Sequence, residues 1–190
     1  MNPNTKKLTM MAMFTAIGAV LITAVHFPLF PTAAFLQYDP ADVPILICGF
    51  AYGPVAGIIV TLLASFIQAF FLGGDGIYGF LMHVIATSTL TFVASSIYRL
   101  NHTRKGAVIG LVAGTLSMGV VMTVANHFIT PAFMGAPTEM VDAMLLPVIL
   151  PFNLLKAGIN SVITFLVYKV VSKHIIHAEP APRKKKAAQF

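Results

Sequence analysis

The chain has 190 residues, of which 57% are hydrophobic and only 9% charged, whereas soluble domains are about a quarter charged. That balance excludes an ordinary water-soluble domain. The net charge of +6 does not point to nucleic acid either, because the basic residues gather at segment ends and in the tail, the distribution of a positive-inside membrane protein.

The first apolar stretch, Leu8 to Val25, follows Lys6-Lys7 and has no A-x-A-like cleavage site, so it reads as a retained helix and not a cleaved signal. Ala12, Ala16 and Ala19 recur at spacings of four and three, with Thr15 and Gly18 nearby. A face this smooth lets another helix approach closely. The spacing leaves open whether that helix belongs to this chain or to another subunit. The connection that follows, Phe27 to Pro40, is rich in Phe and carries Pro28, Pro31 and Pro40.

Next comes an apolar run from Val43 to Leu72, which as one helix would be about 45 Å long, too long for a hydrocarbon core of roughly 30 Å without strong tilt. Gly53-Pro54 reads as a break inside it. Charge supports the break: with a single crossing the Arg99 to Lys105 cluster would face the side opposite Lys6-Lys7, whereas two crossings bring all basic clusters together. Spans follow at Ile77 to Tyr98, Ala107 to Phe128 and Pro147 to Val171. The expected fold is an all-α membrane protein, a bundle of six transmembrane helices with both termini cytoplasmic, formed by one domain over 1–175. The tail, 176–190, rich in Pro, Ala and Lys, is expected to be disordered.

This topology places Asp39, Asp42, Asp75, Glu139 and Asp142 in outer connections, and only Glu179 in the tail. It also leaves Val43 to Tyr52 only about 15 Å long if helical, half a membrane. Something else must fill the outer half, and the Phe27 to Pro40 connection is expected to fold down as a lid over the bundle mouth, since irregular backbone at that depth must be buried or line a cavity.

Among twelve Lys and Arg residues, Lys156 alone falls inside a span, thirteen residues and so about 20 Å before Lys169. An intramembrane charge normally faces the bundle interior or a wet cavity and marks function; a structural hydrogen bond or snorkelling is the competing account. Asn153 and Asn160 lie three positions before and four after it, on the same helical face. Asn126, on the preceding helix, sits at a depth similar to Asn153. Amides both donate and accept, which suits a neutral polar solute; interhelical amide bonding is the alternative.

Cys48, the single cysteine, excludes an internal disulfide. His26, His83 and His127 lack metal-ligand spacing, so no metal site is expected. Nucleotide-binding, esterase and zinc-protease motifs are missing from the sequence, and no carboxylate falls inside an expected span. The chain therefore does not read as an enzyme or an ATPase.

From about Leu8 to Val171 the sequence resembles the substrate-capture subunits (S components) of energy-coupling factor (ECF) vitamin transporters, and within them the riboflavin-specific type. The residues that carry the resemblance are FLQYDPADVP (Phe35 to Pro44), YGPVAGI (Tyr52 to Ile58), Asn126 with Pro131-Ala132, and above all LPFNLLK (Leu150 to Lys156). The resemblance implies a non-enzymatic, high-affinity riboflavin binder of the bacterial cell membrane, with no cofactor beyond the transported ligand. It implies ligand contacts from Asn126, Asn153 and Lys156, with Leu36, Tyr38 and Asp39 contributed by the lid. It further implies that Ala12 and Ala16 dock a transmembrane coupling subunit, which works with two ATPase subunits. Gln37, where relatives often carry lysine, and Pro40, in place of a frequent aromatic, depart from the pattern and bear on the lid. A capture subunit for another vitamin, or for a flavin analogue such as FMN, is the alternative; a channel or intramembrane enzyme would need a continuous polar pore or a reactive constellation, and the sequence offers neither. On sequence grounds, Lys156→Ala should weaken flavin binding and spare the fold.

Overall fold

Asn2 caps the first helix by accepting a hydrogen bond from the Asn4 N–H at 3.1 Å, and Pro3 occupies the first helical position. Both are favourable helix starts, so α1 runs over Pro3–Ala24, beginning earlier than the apolar stretch alone indicates. The computed structural model describes residues 2–171; the tail expected to be disordered, 176–190, lies outside them. Helices α2 (Asp42–Tyr52) and α3 (Pro54–Phe71) follow. They part at the Gly53-Pro54 break, where Gly53 takes a φ of +92° and Pro54 starts α3, a backbone conformation that glycine alone adopts without strain.

α2 has 11 residues, and every one from Asp42 to Phe50 is buried. A helix that is apolar nearly all round belongs inside a bundle, and α2 packs against α1, α3, α4 (Gly76–Leu100) and α7 (Leu150–Val171). α4 and α5 (Arg104–Met134) approach closely, because a Cβ on Gly110 or Gly114 would reach within 2.6 Å of the Ala94 carbonyl or 2.8 Å of the Leu90 carbonyl. Small residues at four-residue spacing allow such an approach.

α5 outlasts its expected end at Phe128, continuing through Pro131 to a left-handed Gly135 cap with φ of +60°. A short helix, α6 (Thr138–Met144), then leads through a widened π-type turn, Leu145–Ile149, into α7. Pro147 and Pro151 have no N–H to give, and the Leu150 N–H instead reaches back to the Leu145 carbonyl. Among the described residues, five helical stretches are long and apolar enough to cross a membrane: α1, α3, α4, α5 and the run from Thr138 to Val171; α2 is apolar but shorter.

The connection between α1 and α2 contains a feature that the sequence reading did not anticipate. Its ends pair as a two-stranded antiparallel ribbon, β1 (Phe27–Pro28) with β2 (Gln37–Tyr38), Phe27 opposite Tyr38. The two rings meet across the strands at 5.4 Å, a cross-strand pair of the kind that stabilises hairpins. Ala33 and Leu36 of the connection form one apolar cluster with Val141, Ile149 and Phe152, so the loop is seated on α6 and the start of α7.

Asp39 and Asp42 belong to this connection and to the first turn of α2, yet they are 1% and 0% exposed. The sequence reading places both in an outer connection, Asp39 within the segment expected to fold down over the bundle mouth. They are buried because α2 is so short that its N-terminus starts among the longer helices and draws the preceding residues in with it. At the other end of α2, Phe50 meets Tyr98 at 4.6 Å and Tyr168 at 5.3 Å, and the two tyrosine rings lie 5.7 Å apart. On α1, Thr15 and Gly18 are buried whereas Ala12 and Ala16 are exposed. The smooth face thus divides, and Ala12 and Ala16 look out of the bundle.

Candidate functional site

A cavity of about 220 Å³ lies at the ribbon end of the bundle, between α3, α4, α5, α7 and the α1–α2 connection. Its apolar lining includes Met82, Met118, Met122, Phe133 and Phe152. Thioether side chains adapt to irregular shapes and pack well on aromatic systems.

Two asparagines, on the packed helices α5 and α7, belong to this lining. Asn126 on α5 donates to the Met122 carbonyl at 2.7 Å and accepts from the Thr130 hydroxyl at 2.8 Å. Asn153 on α7 donates to the Ile149 carbonyl at 2.8 Å. Each is held by its own helix one turn back, and each amide nitrogen retains a second N–H and each carbonyl a free lone pair. They are fixed hydrogen-bonding groups with capacity left for a ligand.

Lys156 reaches the cavity from the next turn of α7 and is 8% exposed. Its ammonium is paired with Asp39 Oδ2 at 2.8 Å and lies 3.5 Å from the Gln37 carbonyl. Burial by itself would raise the Asp39 carboxyl, but the Lys156 charge and hydrogen bond, with the Ala41 N–H, outweigh it and hold the group at about 2. Asn160, a further turn on, is fully buried and does not line the cavity; it donates to the Asp39 carbonyl at 3.1 Å and to Asp42 Oδ2 at 2.9 Å, and accepts from the Tyr38 hydroxyl at 2.9 Å. Burial, then the nearby Asp39 and Asp42 charges, push the Tyr38 hydroxyl above its ordinary value. Thr87 on α4 donates to Asp42 Oδ1 at 2.6 Å.

The three residues that share a face by spacing, Asn153, Lys156 and Asn160, therefore divide their work. Two present groups to the cavity and the third fastens the loop beneath it. Leu36 and Asp39 line the cavity as well, whereas Tyr38 is turned away into Asn160. Ala12 and Ala16 stand on the exposed face of α1, away from it.

Sequence reasoning passed over Gln68 and considered His83 only as lacking metal-ligand spacing; both belong to the lining on the α3–α4 side. Gln68 is the only amide on α3, a signal that could have been read as Asn126 was. His83 shares a 2.7 Å hydrogen bond through Nδ1 with the Ser65 hydroxyl, and its Nε2 is 3.9 Å from Asp42 Oδ1, beyond hydrogen-bond reach. Asp42, His83 and Ser65 have the residue types of a nucleophilic triad, but Ser65 is fully buried outside the lining, where no substrate carbonyl could meet it. Among the described residues no group of three His, Cys, Asp or Glu side chains could hold a metal.

Fold and site together define a class: a multi-pass helical membrane protein with a small-molecule cavity lined by apolar, amide and paired charged side chains. The sequence profile described as "ECF transporter, substrate-specific component" matches residues 6–168, and the chain belongs to that family. It is a transport component of the bacterial plasma membrane and not an enzyme. It is 31% identical over 170 residues to "Riboflavin transporter RibU" of Staphylococcus aureus (strain TCH60), covering 86% of this chain and 89% of the relative. It is 30% identical over 172 residues to "Riboflavin transporter FmnP" of Bacillus subtilis (strain 168), covering 86% and 90%. A solved structure titled "Structure and mechanism of the S component of a bacterial ECF transporter" superposes with a TM-score of 0.80 at 29% identity, over 90% of this chain and 97% of the other.

Proposed function

We propose that this chain captures riboflavin at the outer face of the membrane and delivers it for uptake, energised by a separate transmembrane coupling subunit and two ATPases. The observation that carries this reading is the meeting of Asn126, Asn153 and Lys156 in one cavity lined by methionine and aromatic side chains. A flavin ring is flat and apolar on its faces, with a mixed donor and acceptor pattern along one edge, and such a lining matches both. The names of the relatives point the same way. Asn126, Asn153 and Lys156 contact the ligand, Leu36 and Asp39 close over it, and Tyr38 braces Asn160 beneath the loop.

The topology that fits this role has six crossings, α2 counting as one of them, both termini cytoplasmic, and the Phe27 to Pro40 connection as an outer lid. Its seating on α6 and α7, and the Lys156–Asp39 pair, support that assignment. The exposed Ala12 and Ala16 face of α1 is the docking surface for the coupling subunit.

Riboflavin is favoured over FMN, because a phosphate would enter a cavity whose lysine is already paired and whose lining adds Asp75 to Asp39. Another vitamin of neutral, mixed hydrogen-bonding character is the remaining alternative. Titration of purified protein with riboflavin distinguishes these: the expected result is stoichiometric quenching of flavin fluorescence and a yellow preparation. A colourless protein that quenches nothing refutes the reading.

A further inference from the structure

The cavity has a second polar side that the asparagines do not serve. Gln68 Oε1 and His83 Nε2 are both buried without a hydrogen-bond partner, and both residues line the cavity on its α3–α4 side, whereas Asn126 and Asn153 belong to α5 and α7. His83 is 8% exposed, and the Ser65 hydroxyl at its Nδ1 fixes the ring. The nearest carboxylate oxygen, on Asp42, is 3.9 Å from Nε2 and bonded instead to Thr87. Two unsatisfied polar atoms in one cavity wall call for a partner that the protein itself does not supply.

Resting on the riboflavin reading above, we propose that Gln68 and His83 form the subsite for the ligand's polyhydroxylated side chain, leaving Asn126 and Asn153 to read the ring edge. The chemistry assigns the two ends in this order. A ring edge offers donors and acceptors in a fixed pattern and needs groups aimed in advance, as the two asparagines are by their bonds to Met122 and Ile149. Gln68 Oε1 can only accept. His83 Nε2 donates if the Ser65 hydroxyl donates to Nδ1, and accepts if Nδ1–H donates to Ser65. A hydroxyl is donor and acceptor at once, so it satisfies Gln68 and either tautomer of His83, and neighbouring hydroxyls on one chain can meet both residues together.

Lumiflavin tests this directly, since it keeps the ring system and replaces the polyol chain with a methyl group. Titrations of riboflavin and lumiflavin are compared for the wild type, Gln68→Leu and His83→Phe. The wild type should bind riboflavin more tightly than lumiflavin. Gln68→Leu should weaken riboflavin about five- to tenfold, the value of one neutral hydrogen bond, and change lumiflavin by less than about twofold. His83→Phe should act in the same direction, and retained lumiflavin binding certifies that either variant is folded. Equal loss for both ligands, no loss for riboflavin, or a wild type that binds the two equally overturns the subsite while leaving the riboflavin reading standing. A wild type that binds neither flavin refutes the riboflavin reading itself, and this assignment with it.

Discussion

Replacing Lys156 with methionine preserves most of the side-chain length and removes the charge, which separates two effects that meet at this residue. In the native protein the ammonium lies 2.8 Å from Asp39 Oδ2, with the carboxylate 1% exposed. Deleting the lysine alone strands a buried carboxylate, at a cost of about 3–5 kcal/mol; the ion pair thus makes Lys156 costly to the fold, which the sequence reading alone did not foresee. Loss of a charged donor to the ligand should cost about 1.5–3 kcal/mol, a weakening of riboflavin binding by roughly 10- to 150-fold. The double variant Lys156→Met/Asp39→Asn removes both charges. It should recover most of the stability, because a buried pair replaced as a unit is often neutral, but it should not recover the binding. Thermal unfolding in detergent reads the first quantity and flavin fluorescence quenching the second, and the four proteins of the cycle give the coupling between the two residues. Native affinity in the double variant would refute Lys156 as a ligand contact. Native stability in Lys156→Met would refute the ion pair as a tie between loop and bundle.

The Asp39 carboxyl, held at about 2 against an ordinary 3.8, also makes a pH prediction. A lowered folded pKa contributes stability above pH 3.8 and loses it as pH falls toward 2, a contribution on the order of 2 kcal/mol. Wild type should therefore lose thermal stability between pH 4 and 2 more steeply than Asp39→Asn, and parallel curves would contradict the depressed value. At the exposed face of α1, Ala16→Trp should leave riboflavin affinity of the isolated protein unchanged and abolish uptake in cells that also express the coupling module; normal uptake would remove this face from the docking surface.

Much of the architecture was legible because its signals are local. Gly53 and Pro54 interrupt an apolar run in adjacent positions, and the offsets of three and four that place Asn153 and Asn160 beside Lys156 follow from helical geometry alone. The partner of Lys156 was not legible as such, since Asp39 lies 117 positions away and spacing along the chain carries no sign of which lid group meets the lysine. Two-residue strands are too short to show alternation, and Pro28 within the ribbon hides even that. Gln68 was overlooked as one amide on an apolar helix, although the same reasoning had singled out Asn126. The alanines of α1 illustrate a different limit: spacing shows that a face is smooth, and only the packed bundle shows which of its residues remain uncovered.

The ring contacts among Phe50, Tyr98 and Tyr168, at the far end of α2 from the cavity, bear on the arithmetic of uptake. They tie α2 to α4 and α7 by packed rings at the end remote from the cavity, so on the function proposed above a ligand leaving by that end would have to part them. On that function each ligand delivered would take one movement of these helices and one return. On the same reading, throughput would be counted in round trips, saturating with the number of copies in the membrane however much vitamin waits outside.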